Sequence, residues 1–355
     1  MEVEPLAFFE RLISTPGVSG MEAPVQKVVA DYARAFGAKT RVDLHGNLIL
    51  STNDKERTRL MFAGHCDQIG LIVSYIDDNG YIYTQTVGGW DPQQLVGQTV
   101  TIWTDSGGVE GVISRKAIHL QDEADRKKVV ETKQLFIDIG ATSRQQAEGS
   151  VRIGDTVTLR LGMTRLLNHR VSGTAMDNRT GLWVVVEAMR RAMLSGELSC
   201  GLYVASTVQE EIGLRGAQTA AYSIEPQIAI AVDVTHATDC PEVDQKQQGA
   251  VGIGKGPVIV RGPNMSPLVS ESLIQIAAHN AIEYQVTALG RAASNDSNVL
   301  QISRAGVATG LVAVPNRYMH SSVEVISLED LDACADLLMW FAISVRNQEQ
   351  FLNQI

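Results

Sequence analysis

MFAGHCD, residues 61–67, passes from an apolar run straight into a histidine and an aspartate. A strand buried on both faces of an open α/β sheet reads this way, and ligands in such sheets bind beyond the carboxyl ends of the strands. The two-residue spacing of His65 and Asp67 puts both side chains on one side of an extended chain and turns Cys66 toward the core. Two further runs end alike: YVASTVQEE (203–211) closes on Glu210 and Glu211, and GLVAVPNRYMH (310–320) delivers His320. IAIAVDV (228–234) carries Asp233 near its end, and Asp177, in AMDNRTG (175–181), stands where a turn opens a helical pattern.

Each of these residues has an ordinary reading by itself. His65 and Asp67 make a common pair, Asp177 a helix N-cap, Glu210 and Glu211 a solvated turn, Asp233 a strand-end acid and His320 a surface histidine. Delivered together to one sheet edge, five His, Asp and Glu residues form a site for two divalent cations and imply a dinuclear metallohydrolase. Histidine and carboxylate ligands without cysteine suit Zn²⁺, Co²⁺ or Mn²⁺ alike. Asp67 is placed to hydrogen-bond the second ring nitrogen of His65. Adjacent carboxylates diverge in an extended chain, so one of Glu210 and Glu211 can hold metal while the other faces substrate as a general base.

Other chemistries lack their residues. Gly252-Ile253-Gly254-Lys255-Gly256 has neither the spacing nor the following helix of a phosphate loop, and no GxSxG is present. Acidic residues outnumber basic ones 40 to 30 with no basic footprint, which argues against nucleic acid as a partner. No apolar run approaches the roughly 18 residues of a membrane span. The acidic opening MEVEPLAFFERL lacks the features of a signal peptide, and the four cysteines are scattered. A cytoplasmic protein with reduced thiols is expected.

The surrounding pattern gives the organisation. Helices are expected near 5–14 and 23–36, and strands over 40–42, 47–50 and 60–64. From 69 to 161 the chain becomes a series of short β-rich pieces (69–76, 81–86, 99–104, 111–114, 135–137 and 156–161) separated by turns such as Asp77-Asp78-Asn79-Gly80 and Ser106-Gly107-Gly108. That texture suggests a small barrel or sandwich. The α/β alternation resumes with a helix over 178–193, a strand over 202–208, a helix over 214–222 and a strand over 227–234, and continues through 270–279, 297–305, 307–314 and 328–345. The expected architecture is α/β, with a catalytic domain formed by 1–68 and 164–355 and an all-β insertion at 69–163.

The stretches GHCDQIGLIV, VGGWDPQQLVGQTV, SGTAMDNRTG, TVQEEIGLRGA, AIAVDVT and YMHSSVEV, in this order along nearly the whole chain, resemble the tetrahedral aminopeptidases. That family includes glutamyl aminopeptidases and relatives once labelled cellulases. The resemblance implies a zinc-peptidase-like mixed sheet sandwiched by helices, with the β insertion as a dimerisation domain. It implies one metal on His65 and Asp233, a second on Glu211 and His320, Asp177 bridging them, Glu210 as general base and Asp67 orienting His65. It also implies a cis peptide bond after Asp177, short peptides as substrates, and a homo-oligomer of dimers that can build a hollow tetrahedral dodecamer. The chain carries Gln68 where that family usually has Glu, and Asn178 where a second Asp is frequent.

Three competing readings share these residues. A di-metal carboxypeptidase or deacylase would use the same scaffold on a different substrate end. A glycosidase needs two carboxylates at roughly 5–9.5 Å and no metal, and histidines interleaved with acids, with aromatics at only 5%, argue against it. A non-catalytic shell subunit would not need the full residue set.

Overall fold

The computed structural model describes residues 1–352. In chain order the strands are β1 (Lys39–Val42), β2 (Leu48–Thr52), β3 (Arg59–His65), β4 (Gly70–Ile76), β5 (Ile82–Val87), β6 (Thr99–Thr104), β7 (Gly107–Ser114), β8 (Phe136–Asp138) and β9 (Thr156–Leu159). They continue as β10 (Met163–Arg165), β11 (Arg170–Gly173), β12 (Gly201–Thr207), β13 (Ile228–His236), β14 (Val258–Arg261), β15 (Gln285–Ala288), β16 (Ala308–Asn316) and β17 (Glu324–Ser327). An eight-stranded mixed sheet runs β1-β2-β12-β3-β13-β16-β14-β15, and its central strands β12, β3, β13 and β16 are parallel. Their carboxyl ends therefore lie along one edge, as a doubly covered sheet requires.

Side-chain alternation divides the core into two layers of different thickness. Leu60 and Phe62 on β3, Leu202 and Val204 on β12, and Ile228, Ile230 and Val232 on β13 share the larger cluster with the helices Val3–Ile13, Ala23–Ala35, Met176–Ser195, Pro267–His279 and Leu328–Ser344. The intervening Ala63, Ala205, Ala229 and Ala231 face the alanine-rich helix Arg215–Ile224. Small side chains there let that helix pack close to the sheet. His65 and Asp233 continue the odd-numbered rows of β3 and β13 onto this second face, whereas Cys66 is buried in the first cluster.

The helix Met176–Ser195 crosses beneath the sheet with Leu182 through Val186 fully buried. A Cβ on Gly64 would sit 2.9 Å from the backbone carbon of Gly181, so strand and helix touch through bare backbone. This close approach brings the start of the helix beside the end of β3.

The insertion is a closed antiparallel barrel, β4-β5-β8-β7-β6-β9, filled by Leu71, Val73, Ile82, Val100, Ile102, Ile113, Ile137 and Val157. Closure removes the exposed edges that six short strands would otherwise present. A third, small sheet, β10-β11-β17, pairs Gly173 with Glu324. Among the described residues no helix is long and apolar enough to cross a membrane.

The structure departs from the sequence reading mainly at short elements. β10, β11, β14, β15 and β17 have three or four residues each, too few for alternation to register. Gly107 and Gly108 belong to β7, with Gly108 paired to Trp103, rather than to a turn. The element expected over 297–305 is a short helix that ends at Leu300.

Replacing Gly64 by Ala is expected to lower stability by about 1–3 kcal/mol through overpacking against the helix backbone. A urea melt reads this as a lower midpoint, and an unchanged midpoint would show that strand and helix can move apart without cost.

Candidate metal centre

The sheet edge collects the residues singled out above. His65 ends β3, Asp233 lies near the end of β13, and Glu210 and Glu211 follow β12. Asp177 opens the Met176–Ser195 helix, and His320 follows β16 in a polar loop. The turns that redirect the chain here place Ala175, Gln209 and His320 at φ of 61°, 55° and 61°. Non-glycine residues in this left-handed region cost of order 1–3 kcal/mol each and cluster at functional sites. The Asp177–Asn178 peptide bond is cis.

Asp177 stands between the two histidines. Its Oδ1 lies 3.2 Å from His65 Nε2, and its Oδ2 lies 3.2 Å from His320 Nε2. Asp233 Oδ1 and Glu210 Oε2 approach His65 Nε2 at 3.7 and 3.8 Å, and Glu211 Oε2 approaches His320 Nε2 at 3.5 Å. Candidate ligand atoms of His65, Glu210 and Asp233 lie within 4.8 Å of one another, as do those of His65, Asp177 and Glu211. The structure thus brings together all five expected ligand residues and Glu210, with one carboxylate oxygen of Asp177 directed to each half.

Asp67 is fully buried behind them. Its carboxylate accepts hydrogen bonds from Ser19 Oγ (2.7 Å), Glu210 N (3.0 Å) and Glu211 N (3.2 Å). His65 Nδ1 lies 3.4 Å from the Asp67 carboxylate and 3.2 Å from its carbonyl oxygen. Asp67 therefore holds the glutamate turn at least as firmly as it holds the ring. His320 Nδ1 lies 2.7 Å from the carbonyl oxygen of Gly89, in the barrel segment after β5. With that nitrogen donating, Nε2 is left with a free lone pair.

The charges are badly matched without cations. Burial pushes the Glu210 carboxyl up to about 10, opposed by His65 and reinforced by Asp233 and Asp296. Burial and the Asp177 charge raise Glu211 well above the carboxylate range, and burial also raises Asp233. Burial disfavours an imidazolium at His65, yet Glu210, Asp177 and Asp233 together hold its pKa well above the ordinary value. His320 is raised by its hydrogen bond to Asp177. Among the described residues no lysine or arginine pairs with these acids, and Glu211 Oε1 is buried with no hydrogen-bond partner. Divalent cations would supply the missing positive charge and find neutral imidazole and carboxylate ligands facing them, so the residues fit metal.

Two buried acids escaped the sequence reading. Glu324 accepts hydrogen bonds from four donors around Asp177 and His320, and Asp296 accepts one from Thr207 Oγ1 at 2.6 Å. The YMHSSVEV stretch contained the signal for Glu324, an acid four residues beyond His320 and flanked by valines. The two departures also have partners. Gln68 Oε1 accepts from the buried guanidinium of Arg179 at 3.2 Å. Asn178 donates to the Val232 carbonyl at 2.8 Å and accepts from Gly181 N at 2.9 Å, a pair of roles that an ionised aspartate cannot fill.

Comparison with known proteins gives the family. A sequence profile of the M42 glutamyl aminopeptidases matches residues 46–337. The chain is 36% identical over 326 residues to a lysyl aminopeptidase of Pyrococcus furiosus, covering 91% of this chain and 92% of that protein. Its fold superposes with a TM-score of 0.93 on a TET aminopeptidase from a marine sediment archaeon (Thaumarchaeota archaeon SCGC AB-539-E09), at 33% identity and 98% coverage of both chains. A TET1 peptidase of Pyrococcus horikoshii that can assemble into a tetrahedron or a large octahedral shell matches with a TM-score of 0.85 and 32% identity, over 96% of this chain and all of that one.

Chelator-stripped protein is expected to gain thermal stability when Zn²⁺ or Co²⁺ is restored, because cations relieve the repulsion among the buried acids. At a hundredfold excess over Kd each ion adds about 2.7 kcal/mol. A melting temperature that ignores both metals would show that the acids are neutralised by protons alone.

Proposed function

The chain belongs to the M42 glutamyl aminopeptidase family and is a metallo-aminopeptidase, and from that premise we propose that it removes N-terminal residues from short peptides at a two-metal site. The observation that carries the reading is Asp177, whose two carboxylate oxygens face two different histidines at 3.2 Å each. In this reading His65 and Asp233 would hold one ion, Glu211 and His320 would hold the other, and Asp177 would serve both. When bound, two divalent ions polarise the scissile carbonyl and favour an ionised water. The cations proposed are Zn²⁺ or Co²⁺, with Mn²⁺ also compatible with these ligands.

Glu210 is the proposed general base. Its backbone N–H is tied to Asp67, so the side chain is aimed from a fixed point beside His65. The carboxylate takes a proton from the attacking water and returns it to the leaving amine. Asp67 acts through others, fixing the backbone of Glu210 and Glu211 and steadying His65.

The barrel is the proposed assembly domain, supporting dimers that can build a tetrahedral dodecamer. Support comes from its compact, separate core and from the assembling relative described above. Because Gly89 accepts from His320, the barrel also touches the active site. Deleting about residues 70–162 is expected to leave a catalytic domain that sediments as a single unit, and retention of a large particle would refute the assembly role.

The mechanism is tested at the adjacent glutamates. Glu210→Gln keeps shape but cannot accept the proton, so kcat should fall by roughly 10²–10⁴ with metal content unchanged. Glu211→Gln should lose one ion and regain part of its activity at high metal concentration. Loss of metal from the first variant only would swap the two roles. A peptide panel with free and acetylated amino termini tests the substrate end, since cleavage of the blocked peptides would sink the aminopeptidase reading of this site.

A further inference from the structure

Glu324 is buried to 2% exposure in the polar interior beside the proposed metal ligands, and it is not itself one of them. Its Oε1 accepts from His320 N at 3.0 Å and Asn316 Nδ2 at 3.3 Å. Its Oε2 accepts from Met176 N at 2.8 Å and Asp177 N at 3.3 Å. Four N–H donors fill the roughly four acceptor positions of an ionised carboxylate. A protonated acid would have to turn an O–H toward one of these donors. The β11–β17 pairing sets this up, because Gly173 opposite Glu324 carries the chain toward Met176 three residues later.

The two elements clasped are the ones that deliver Asp177 and His320. His320 sits at φ 61°, an uncommon backbone for a residue other than glycine, and the Glu324 carboxylate takes its N–H there. Its ring is fixed separately by the Gly89 carbonyl. Asp67 has the same relation to the glutamate turn, taking the backbone N–H groups of Glu210 and Glu211. The site thus has two buried carboxylate clamps, each holding backbone rather than an ion.

We infer that Glu324 is a positioning residue that sets the affinity of one metal position, the one formed by Glu211, His320 and Asp177. The inference rests on the ligand assignment proposed above. Its selectivity follows from Asn316. In Glu324→Gln an amide replaces one oxygen, and its NH₂ must face one of the two donor pairs. Asn316 Oδ1 is buried without a partner, so Asn316 can turn its amide to accept from that NH₂. The remaining oxygen then stays on Met176 and Asp177, and only the His320 N–H loses its acceptor. The ion that depends on His320 is released while the His65–Asp233 position keeps its geometry.

The test is equilibrium dialysis of full-length, chelator-stripped protein against Co²⁺, with bound metal measured directly. Wild type should bind two ions, and Glu324→Gln should weaken one step by roughly 10–100-fold, leaving the other within about twofold. The weakened step should be the one lost in Glu211→Gln, and saturating Co²⁺ should restore kcat to within a few-fold of wild type. Glu324→Asp, which keeps the charge but is too short to span both donor pairs, should show the same selective loss and serves if the amide variant does not fold. Equal weakening of both steps, or none, overturns the positioning role while leaving the two-metal reading intact. Wild-type protein that binds no ion overturns both.

Discussion

Asp177 must present one oxygen to His65 and the other to His320 across a separation fixed by two unrelated parts of the chain. His65 is set by the parallel sheet, through the register of β3 with β12 and β13. His320 is set by the loop between β16 and β17, where the Glu324 carboxylate takes its backbone N–H and the barrel carbonyl of Gly89 meets its ring. Asp177 itself hangs on the entry of a helix held against β3 by the contact between Gly64 and Gly181. A shift of about 1 Å in any of these supports would separate an oxygen from its partner, and misplacement on that scale can cost about a hundredfold in activity. Packing across the whole catalytic domain therefore converges on one carboxylate.

The same convergence works against stability. Asp67, Asp177, Glu210, Glu211, Asp233, Asp296 and Glu324 crowd a small, largely buried volume with two histidines and no lysine or arginine in ion-pair reach among the described residues. Desolvation and like-charge repulsion both oppose ionisation there. The fold tolerates this because Asp67 and Glu324 satisfy their oxygens with backbone N–H groups, hydrogen bonds that charged acceptors make about twice as strong as neutral ones do. Asp177, Glu210, Glu211 and Asp233 instead bring carboxylate oxygens within 3.8 Å of the histidine Nε2 atoms, an arrangement a divalent cation stabilises. Neutral side chains at these positions would fold more easily and bind nothing.

The barrel and the catalytic domain are separate in their cores but not at the site. Gly88, Gly89 and Trp90 leave β5 and run back to the sheet edge, where the Trp90 indole donates to the Gly70 carbonyl and Gly89 meets His320. The Gly89 carbonyl thus ties the barrel to that histidine. Gln68, the neighbour of Asp67, meanwhile gives Arg179 a neutral acceptor, and burial holds this guanidinium down to about 10. A glutamate there would supply the charge that Arg179 otherwise lacks.

The amino-acid sequence by itself determined the central strands of the sheet, the β-rich insertion and the candidate donor set, because each leaves a local trace. Buried parallel strands are continuous apolar runs such as IAIAVDV, barrel strands are short pieces between turns, and His65, Glu210, Glu211 and Asp233 stand at the ends of their runs or directly beyond them. The tertiary structure alone decided how these residues meet. Nothing local to Glu324 shows that its four donors come from positions 176, 177, 316 and 320, and nothing local to Gly89 shows that its carbonyl faces a histidine more than two hundred residues away. Short strands such as β11 and β17 were equally illegible, since three or four residues cannot establish a period and their stability comes from pairing. Periodicity and residue type are properties of a segment, whereas a hydrogen-bonded clamp is a property of several segments at once, and only the folded chain brings them together.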